Sequence, residues 1–278
     1  MQIQFSIAQR DLRARIIFGW LALVLIYFFY AHSMLSQLAS PVLIFPSSDN
    51  VFWFIHLLRI PQFLLSNYWV AMCFDLILFT SVLGSCIFPR KTWLNWIAVV
   101  GIWVYYYTYS TAAGKHYAQI GYFITPVAFL AASANKFNLL WNAVRYWVCF
   151  LYTCAGIYKI YYGGFGFDEN MSNILMQMNG EWLLLHPHDL RSSFIQWLIQ
   201  HPGIAQQFFR SVVLIDFVLI IGFFTKKFDH WLLVGLLLFH IGNYFLLHIS
   251  FIEQSLIFAP LLPWHRIDKY FQTDNRHD

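Results

Sequence analysis

The sequence predicts an all-α membrane protein, a polytopic bundle of about eight transmembrane helices with both termini in the cytoplasm. Its 278 residues are 59% apolar and 21% aromatic, but only 11% are charged, whereas soluble domains carry about 25% charged residues. The mean hydropathy is +0.56. So few charged side chains cannot cover a water-facing surface, and the same composition excludes a disordered, collagen-like or disulfide-rich chain.

Eight apolar segments are candidate spans, since a membrane helix needs about 20 mostly apolar residues. The segments are continuous apolar runs, which argues against the alternating ten-residue strands of a β-barrel. Turn and charge signals such as Pro89-Arg90-Lys91 separate them. The predicted spans are residues 12–33, 68–88, 93–113, 117–133, 143–162, 210–225, 230–248 and 250–264. The fourth and the eighth are short, so they could be broken or tilted.

Basic residues predict the direction of the spans, because cytoplasmic loops carry an excess of Lys and Arg. With a cytoplasmic N-terminus, 12 of the 17 basic residues fall in inner segments. These are Arg10, Arg13, Arg15, Arg90, Lys91, Lys136, Arg145, Lys226, Lys227, Arg266, Lys269 and Arg276. The outer ones are Arg59, Lys115, Lys159, Arg191 and Arg210. Both termini are therefore predicted to lie inside.

The first apolar segment has a cleaved signal peptide as its alternative interpretation. It combines a basic start and an apolar stretch with the small-x-small triplet Ala31-His32-Ser33, as signal peptides do. However, the bulky aromatic residues at positions 27–30 lead directly to that triplet, which argues against cleavage. We expect this segment to remain as a span.

Two long segments between spans are predicted to lie on the outer side. Residues 34–67 include an amphipathic stretch, Val51 to Leu65, typical of a helix that lies on the membrane surface or re-enters it. Residues 163–209 are punctuated by glycine, acidic residues and histidines. Their His186-Pro187-His188-Asp189 sequence is weak evidence for a metal site, because the histidines stand beside proline in a loop. No metal site is predicted.

Ionisable side chains inside predicted spans are candidate functional residues, because charge is costly within a membrane. They are Asp75, Lys159, Asp216, His240 and Glu253. Structural explanations stay open for several of them. The two aspartates could form structural pairs, and Lys159 is near enough to the end of its span to extend toward the headgroups.

A polar stripe runs along the seventh predicted span. His240, Asn243, Tyr244 and His248 recur at spacings of three, four and eight residues, which places them on one helical face. Such a face in a membrane must contact protein or a water-filled cavity. His240 and Asn243 could alternatively do no more than bond neighbouring helices together.

The predicted topology places acid–base groups from separate helices at one depth, in the outer half of the membrane. They are Lys115, His116, Lys159, His248 and Glu253, while His240 lies deeper. Their common depth predicts a single cavity that opens outward. A general base must be able to accept a proton, and removal from water favours the uncharged form of an amine. Lys159 is therefore the candidate base.

Several of these segments resemble the membrane domain of vitamin K-dependent γ-glutamyl carboxylase, called HTTM, which also occurs alone in bacteria. The similar segments are YTCAGIYK at 152–159, GEWLLLHP at 180–187, VVLIDFVLIIGFF around Asp216, FHIGN at 239–243 with the helix after it, and the turn at 115–117. Their order and their places on the spans agree with the family. The resemblance covers roughly residues 12–264, so one HTTM-like domain is expected over residues 1–278.

The resemblance implies a catalytic role for Lys159, which matches the lysine that deprotonates vitamin K hydroquinone in the carboxylase. The base formed when the hydroquinone reacts with oxygen then removes a γ-proton from a peptide glutamate before carbon dioxide adds. His116 and His240 are implied as hydrogen-bonding or electrostatic partners of that lysine. A reduced, vitamin K-like quinone is the implied cofactor, with Asn243, Tyr244 and His248 as candidate binding residues.

Stand-alone bacterial members resemble the membrane protein that matures the sporulation-delaying toxin, which acts with a partner on a secreted peptide. The carboxylase also has a large extramembrane domain that grips its substrate propeptide, whereas 14 residues follow the last predicted span here. Carboxylation of a propeptide-bearing client is therefore not expected. A role in maturing an exported peptide or toxin fits better.

Two functional hypotheses follow for a multi-pass protein of a bacterial inner or plasma membrane. The first is an enzyme that modifies or matures an exported peptide or toxin at an outward-facing cavity. The second is a non-enzymatic accessory, assembly or immunity subunit that binds a partner protein. A haem or quinone electron-transfer protein using His240 and His248 is a weaker third. The expected partners are the lipid bilayer and a secreted peptide or partner protein, and the net charge of +4 implies no nucleic acid.

Overall fold

The computed structural model of the chain is built from helices. It describes residues 6–38, 50–113, 125–131, 133–163, 165–166, 170–247 and 252–274. These residues are 85% helical and contain no β-strand. The prediction of an all-α fold is therefore confirmed.

The chain forms two compact units. The first comprises Met1–Val144 with Ile252–Ala259, and the second comprises Arg145–Phe251 with Pro260–Asp278. The helix Ala134–Tyr161 belongs to the first unit in its first part and to the second unit thereafter.

The described helices of the first unit include three long and two short ones, together with 3₁₀ segments. Its helices are α1 (Ile7–Tyr30), α2 (Asn50–Leu57), α3 (Ile60–Leu65), α4 (Tyr68–Ile87) and α5 (Thr92–Ala113), with 3₁₀ segments at Leu35–Gln37 and Ala128–Leu130. The predicted amphipathic stretch at 51–65 is helical, as expected, but it breaks at Arg59, whose φ of 56° lies in the left-handed region. It therefore forms two short helices rather than one.

Helix α1 is fixed at its start by a reciprocal cap and by a buried arginine. Ser6 and Gln9 exchange side-chain-to-backbone hydrogen bonds, which satisfies two amide groups at the helix terminus. Arg10 is 3% exposed and donates to the carbonyl oxygens of Phe129 and Ala131. Arg10 was predicted to be one of the cytoplasmic charges that orient the chain, whereas the structure shows that it donates hydrogen bonds to carbonyl groups within the first unit.

The second unit begins within α6 (Ala134–Tyr161), and its described residues form six further helices. They are α7 (Asn170–Leu185), α8 (Leu190–Gln200), α9 (Pro202–Val218), α10 (Ile221–Phe224), α11 (Asp229–Leu247) and α12 (Trp264–Asp274). The predicted outer segment at 163–209 is thus largely helical, which the sequence analysis missed. Its apolar positions recur with helical spacing within each helix, Met171 with Leu175 and Ile195 with Leu198, and these four residues are buried together in one cluster.

The turn between α10 and α11 is held by an ion pair with α6. Arg145 donates to both carboxylate oxygens of Asp229, over 2.8 and 2.6 Å. It also donates to the carbonyl oxygens of Gly222 and Thr225. A planar guanidinium suits this forked arrangement. Arg145, like Arg10, was predicted to be a cytoplasmic charge that orients the chain, but these contacts give it a structural role.

Among the residues that the structure describes, four helical segments are long and apolar enough to cross a membrane: Ile7–Gln37, Tyr68–Ile87, Pro202–Phe224 and Asp229–Leu247. They coincide with four of the predicted spans. Helices α5 and α6 have 22 and 28 residues but are less apolar, since α5 is rich in Trp and Tyr and α6 carries Lys and Arg. These four segments are compatible with an integral membrane protein, and they account for four of the eight predicted spans.

Two predicted spans are not formed by long α-helices in the described residues. Of the fourth, 117–133, the structure describes only residues from 125 onward, which form short helical turns. In the eighth, 250–264, residues Ile252–Leu261 form a 10-residue 3₁₀ helix that contains Pro260. At about 2 Å per residue, such a helix is about 20 Å long, shorter than a hydrocarbon core of about 30 Å. Proline cannot donate a backbone hydrogen bond, which disfavours a continuous α-helix there.

Candidate functional site

Lys159 forms an ion pair with Asp216 in the second unit. The lysine lies in the last turn of α6, and its Nζ is 2.5 Å from Asp216 Oδ2 on α9. The Asp216 side chain is fully buried, whereas the Lys159 side chain is 28% exposed. Two residues that the sequence analysis nominated separately are therefore direct partners.

A glycine in the preceding turn of α6 allows this close approach. A Cβ atom placed on Gly156 would lie 3.0 Å from the backbone nitrogen of Phe217 and 3.2 Å from Asp216 Cβ. Larger residues at this position would push α6 away from α9. The Ala-Gly-x-x-Lys order at 155–159 thus has a physical reason: the glycine brings the helices together, and the lysine three residues later reaches the carboxylate.

Lys159 lines a cavity of about 560 Å³ within the second unit. The cavity is lined by parts of α6, α7, α8, α9 and α11, and most of its lining is apolar, with phenylalanines at 194, 208, 209, 239 and 245. Among the described residues that line it, Lys159 is the only charged one, and Ser211 and Asn243 add neutral polar groups. The volume falls within the 300–1,000 Å³ range of small-molecule sites.

His240 lies beside this cavity in a hydrogen bond with Tyr152. Tyr152 Oη and His240 Nε2 are 2.7 Å apart, and the tyrosine is 5% exposed. Phe239 contacts both the Lys159–Asp216 pair and the Tyr152–His240 pair. Its ring centroid lies 5.1 Å from Lys159 Nζ, and its ring contacts the Tyr152 ring edge-on. Tyr152 was part of the family-like segment but received no role in the sequence analysis.

The polar stripe on α11 divides between two surroundings. Asn243 lines the cavity, whereas Tyr244 is 57% exposed and is absent from the cavity lining. The two neighbours on α11 therefore have different surroundings, and of the two only Asn243 lines the cavity among the described residues.

The remaining nominated residues fall elsewhere. Asp75 belongs to the first unit, where its carboxylate accepts a hydrogen bond of 2.9 Å from the backbone N–H of Ser36. This contact fits the structural interpretation of Asp75. Lys115, His116 and His248 lie outside the described residues, as does the side chain of Glu253.

The chemistry open to the site is proton transfer within an apolar environment. Asp216 Oδ1 is buried and has no hydrogen-bond partner in the described part of the chain, although Oδ2 is held by Lys159. A buried carboxylate with one free acceptor can take up a proton, and a neighbouring ammonium can stabilise an oxygen anion. No group of three or more potential metal ligands occurs among the residues that the structure describes.

Comparison with known proteins identifies no relative. No family model, no curated protein and no solved structure matches this chain. The resemblance to the HTTM family therefore stays a prediction from the motifs quoted above.

Proposed function

We propose that this protein is a membrane enzyme of the HTTM type that matures or modifies an exported peptide, with the Lys159–Asp216 pair as its proton acceptor. The observation that supports this proposal is the ion pair at the wall of a largely apolar cavity. Ionisable groups are costly in such surroundings and are retained mainly where they serve function. The proposal includes a bacterial plasma membrane, about eight crossings and both termini in the cytoplasm.

The ligand proposed for the cavity is a reduced quinone or a similar molecule with an apolar body and a hydroxyl head. Phenylalanines offer the apolar surface, while Lys159, Ser211 and Asn243 offer polar contacts for the head. Asp216 reaches this polar end only through Lys159, because the aspartate is not among the described residues that line the cavity. In the carboxylase that this chain resembles, the bound quinone supplies the strong base formed by reaction with oxygen.

The proton step uses both members of the pair. Asp216 accepts a proton from the Lys159 ammonium, and the resulting amine takes the proton of the ligand hydroxyl as that O–H bond breaks. Lys159 is then again an ammonium and stabilises the ligand oxygen anion, while Asp216 is a neutral acid. Total charge is conserved, because the pair gains one positive charge as the ligand gains one negative charge. In this proposal His240, which is hydrogen bonded to Tyr152, tunes the site and does not accept the proton.

The proposal is tested with the purified protein in lipid nanodiscs and vitamin K hydroquinone as the probe. The variant Lys159→Gln/Asp216→Asn keeps two groups able to hydrogen bond but removes the acid–base pair. We expect oxygen-dependent oxidation of the probe to fall by about 100-fold or more, the usual contribution of a general base. The control is Lys227→Ala, an exposed lysine in the α10–α11 turn. A double variant with the wild-type rate would contradict the proposed base.

The accessory-subunit hypothesis has one observation in its favour. Lys159 is paired with Asp216, and His240 with Tyr152, which is how polar residues that only join helices are satisfied. In that case Lys159 and His240 would be individually dispensable for the cellular role. Mild purification from the native membrane would then recover a partner protein in stoichiometric amount. Recovery of the chain alone, together with loss of the cellular role in the double variant, would favour the enzyme.

A further inference from the structure

The hairpin formed by α7 and α8 exposes three leucines at its turn. Helix α7 ends at Leu185 and α8 begins at Leu190. Leu184, Leu185 and Leu190, here called the leucine tip, are 83%, 67% and 87% exposed. Removing one leucine side chain from water contributes about 1.5–3 kcal/mol. Three such residues around one turn therefore favour contact with another apolar phase.

The position of the hairpin is set by the two apolar helices that follow it. Pro202–Phe224 and Asp229–Leu247 are both long enough to cross a membrane, and only four residues separate them. A connection this short requires the chain to reverse direction, so the start of α9 and the end of α11 lie on the same membrane side. Helix α8 ends at Gln200, immediately before α9.

Side-chain hydrogen bonds tie the hairpin to the last turn of α11. Arg191, next to the leucine tip, donates to the carbonyl oxygen of Phe245 over 2.8 Å. Asn179, which is 1% exposed, donates to the carbonyl oxygen of Leu246 over 2.8 Å and accepts from Arg191 over 2.9 Å. These bonds satisfy carbonyl groups that a helix end leaves free. They also keep the leucine tip near the end of a membrane-crossing helix.

We propose that the leucine tip inserts into the lipid leaflet at which α9 begins and α11 ends. The rest of the hairpin surface is mixed, because exposed Gln177, Glu181, Ser193 and Gln196 lie on the outer faces of α7 and α8. The turn itself carries exposed His186, Pro187, His188 and Asp189 between the leucines, and such a mixture of apolar and polar side chains is typical of segments that lie in the membrane interface. Lipid is the proposed occupant because the tip is tied through Arg191 to the end of a helix long enough to cross a membrane.

Insertion would anchor one wall of the cavity to the bilayer. Met171 and Ile174 of α7 and Phe194 of α8 line that cavity, so the same hairpin contacts both the cavity and the lipid. The proposal concerns membrane contact alone and does not depend on the proton-transfer function.

The test places a fluorescent bimane at the leucine tip by Leu190→Cys, with Gln196→Cys on the polar face of α8 as the matched control. Cys73, Cys86 and Cys154 are replaced by serine, and Cys149 is kept because it is fully buried. The full chain is reconstituted into phosphatidylcholine–phosphatidylglycerol vesicles, with and without bromine on the acyl chains. Gel-filtration profiles matching that of the unlabelled protein establish that the variants are folded.

We expect the label at position 190 to emit at shorter wavelength and to be quenched by brominated lipid severalfold more strongly than the label at position 196. Equal, weak quenching at both positions would mean that the tip is in water and would overturn the proposal. A blue-shifted label at position 190 without quenching would mean that protein covers the tip, either a partner or a second copy, and would also overturn it.

Discussion

At the residue scale, Lys159 and Asp216 depend on each other unequally. Asp216 is fully buried, whereas the Lys159 side chain is 28% exposed. A carboxylate left alone in the interior has no route to water, but the flexible lysine stem can carry its ammonium toward solvent or headgroups. The structure therefore resolves an alternative that the sequence left open: this lysine is paired inside the protein rather than extended to the headgroups.

The two single substitutions are expected to differ in their effect on the free energy of unfolding. Lys159→Ala leaves an unpaired buried carboxylate and should cost about 3–5 kcal/mol, the range for breaking a buried ion pair. Asp216→Asn leaves only the partly exposed lysine and should cost less. The double variant Lys159→Ala/Asp216→Asn should be more stable than Lys159→Ala, because neither charge remains. Denaturant titration in detergent measures all three, and additive losses would show that the two residues do not interact.

At the element scale, the candidate site depends on how closely α6 approaches α9. Gly156 provides the space, since its missing Cβ would contact the backbone of Phe217. Sequence periodicity predicted α6 and the region of α9, but helical faces alone could not show that these two helices meet at a glycine. The missed helices α7 and α8 matter in the same way, because they complete the cavity wall.

Gly156→Ala is expected to destabilise the protein by about 1–3 kcal/mol, the usual loss on overpacking. It should also reduce the rate of probe oxidation, because the Lys159–Asp216 contact lengthens. The matched control is Gly180→Ala in α7, where an added Cβ meets nothing within 4 Å. That change should stabilise by about 0.5–1 kcal/mol, since alanine favours helix more than glycine. Thermal unfolding compares the two, and a neutral Gly156→Ala would argue against the close approach.

At the scale of the whole molecule, membrane topology is the main untested prediction. The predicted orientation rests on basic residues, and three of these, Arg10, Arg13 and Arg145, are buried in structural contacts. Exposed basic residues such as Arg90 and Lys227 still fall in segments predicted to be cytoplasmic. These exposed charges still support the predicted orientation, because they can influence the direction in which the chain inserts into the membrane.

Reporter fusions in a bacterial host test the orientation. Green fluorescent protein fused after Asp278 should fluoresce, because it folds in the cytoplasm, and alkaline phosphatase fused there should be inactive. Phosphatase inserted after Pro187, in the turn of the α7–α8 hairpin, should be active, because this segment is predicted to lie outside. The reverse pattern would show that the protein has the opposite orientation.

The sequence by itself determined the class of protein and most of its long helices. Apolar content and helical periodicity are local properties, so α4, α5 and α11 begin and end within one residue of the predicted spans. Local patterns did not predict α7 and α8 within residues 163–209, because polar residues interrupt the apolar positions there. They predicted a span at 250–264, where residues Ile252–Leu261 form a 3₁₀ helix.

Only the tertiary structure decided which polar residues act together. Lys159 and Asp216 are 57 residues apart, and Tyr152 and His240 are 88 apart. Such pairs depend on which helices pack and at what distance, and single-helix periodicity carries no information about either. Asp75 looked equivalent to Asp216 in the sequence, yet it bonds a backbone N–H in the first unit. The chemical meaning of a buried charge is set by its partner, and the partner comes from another helix.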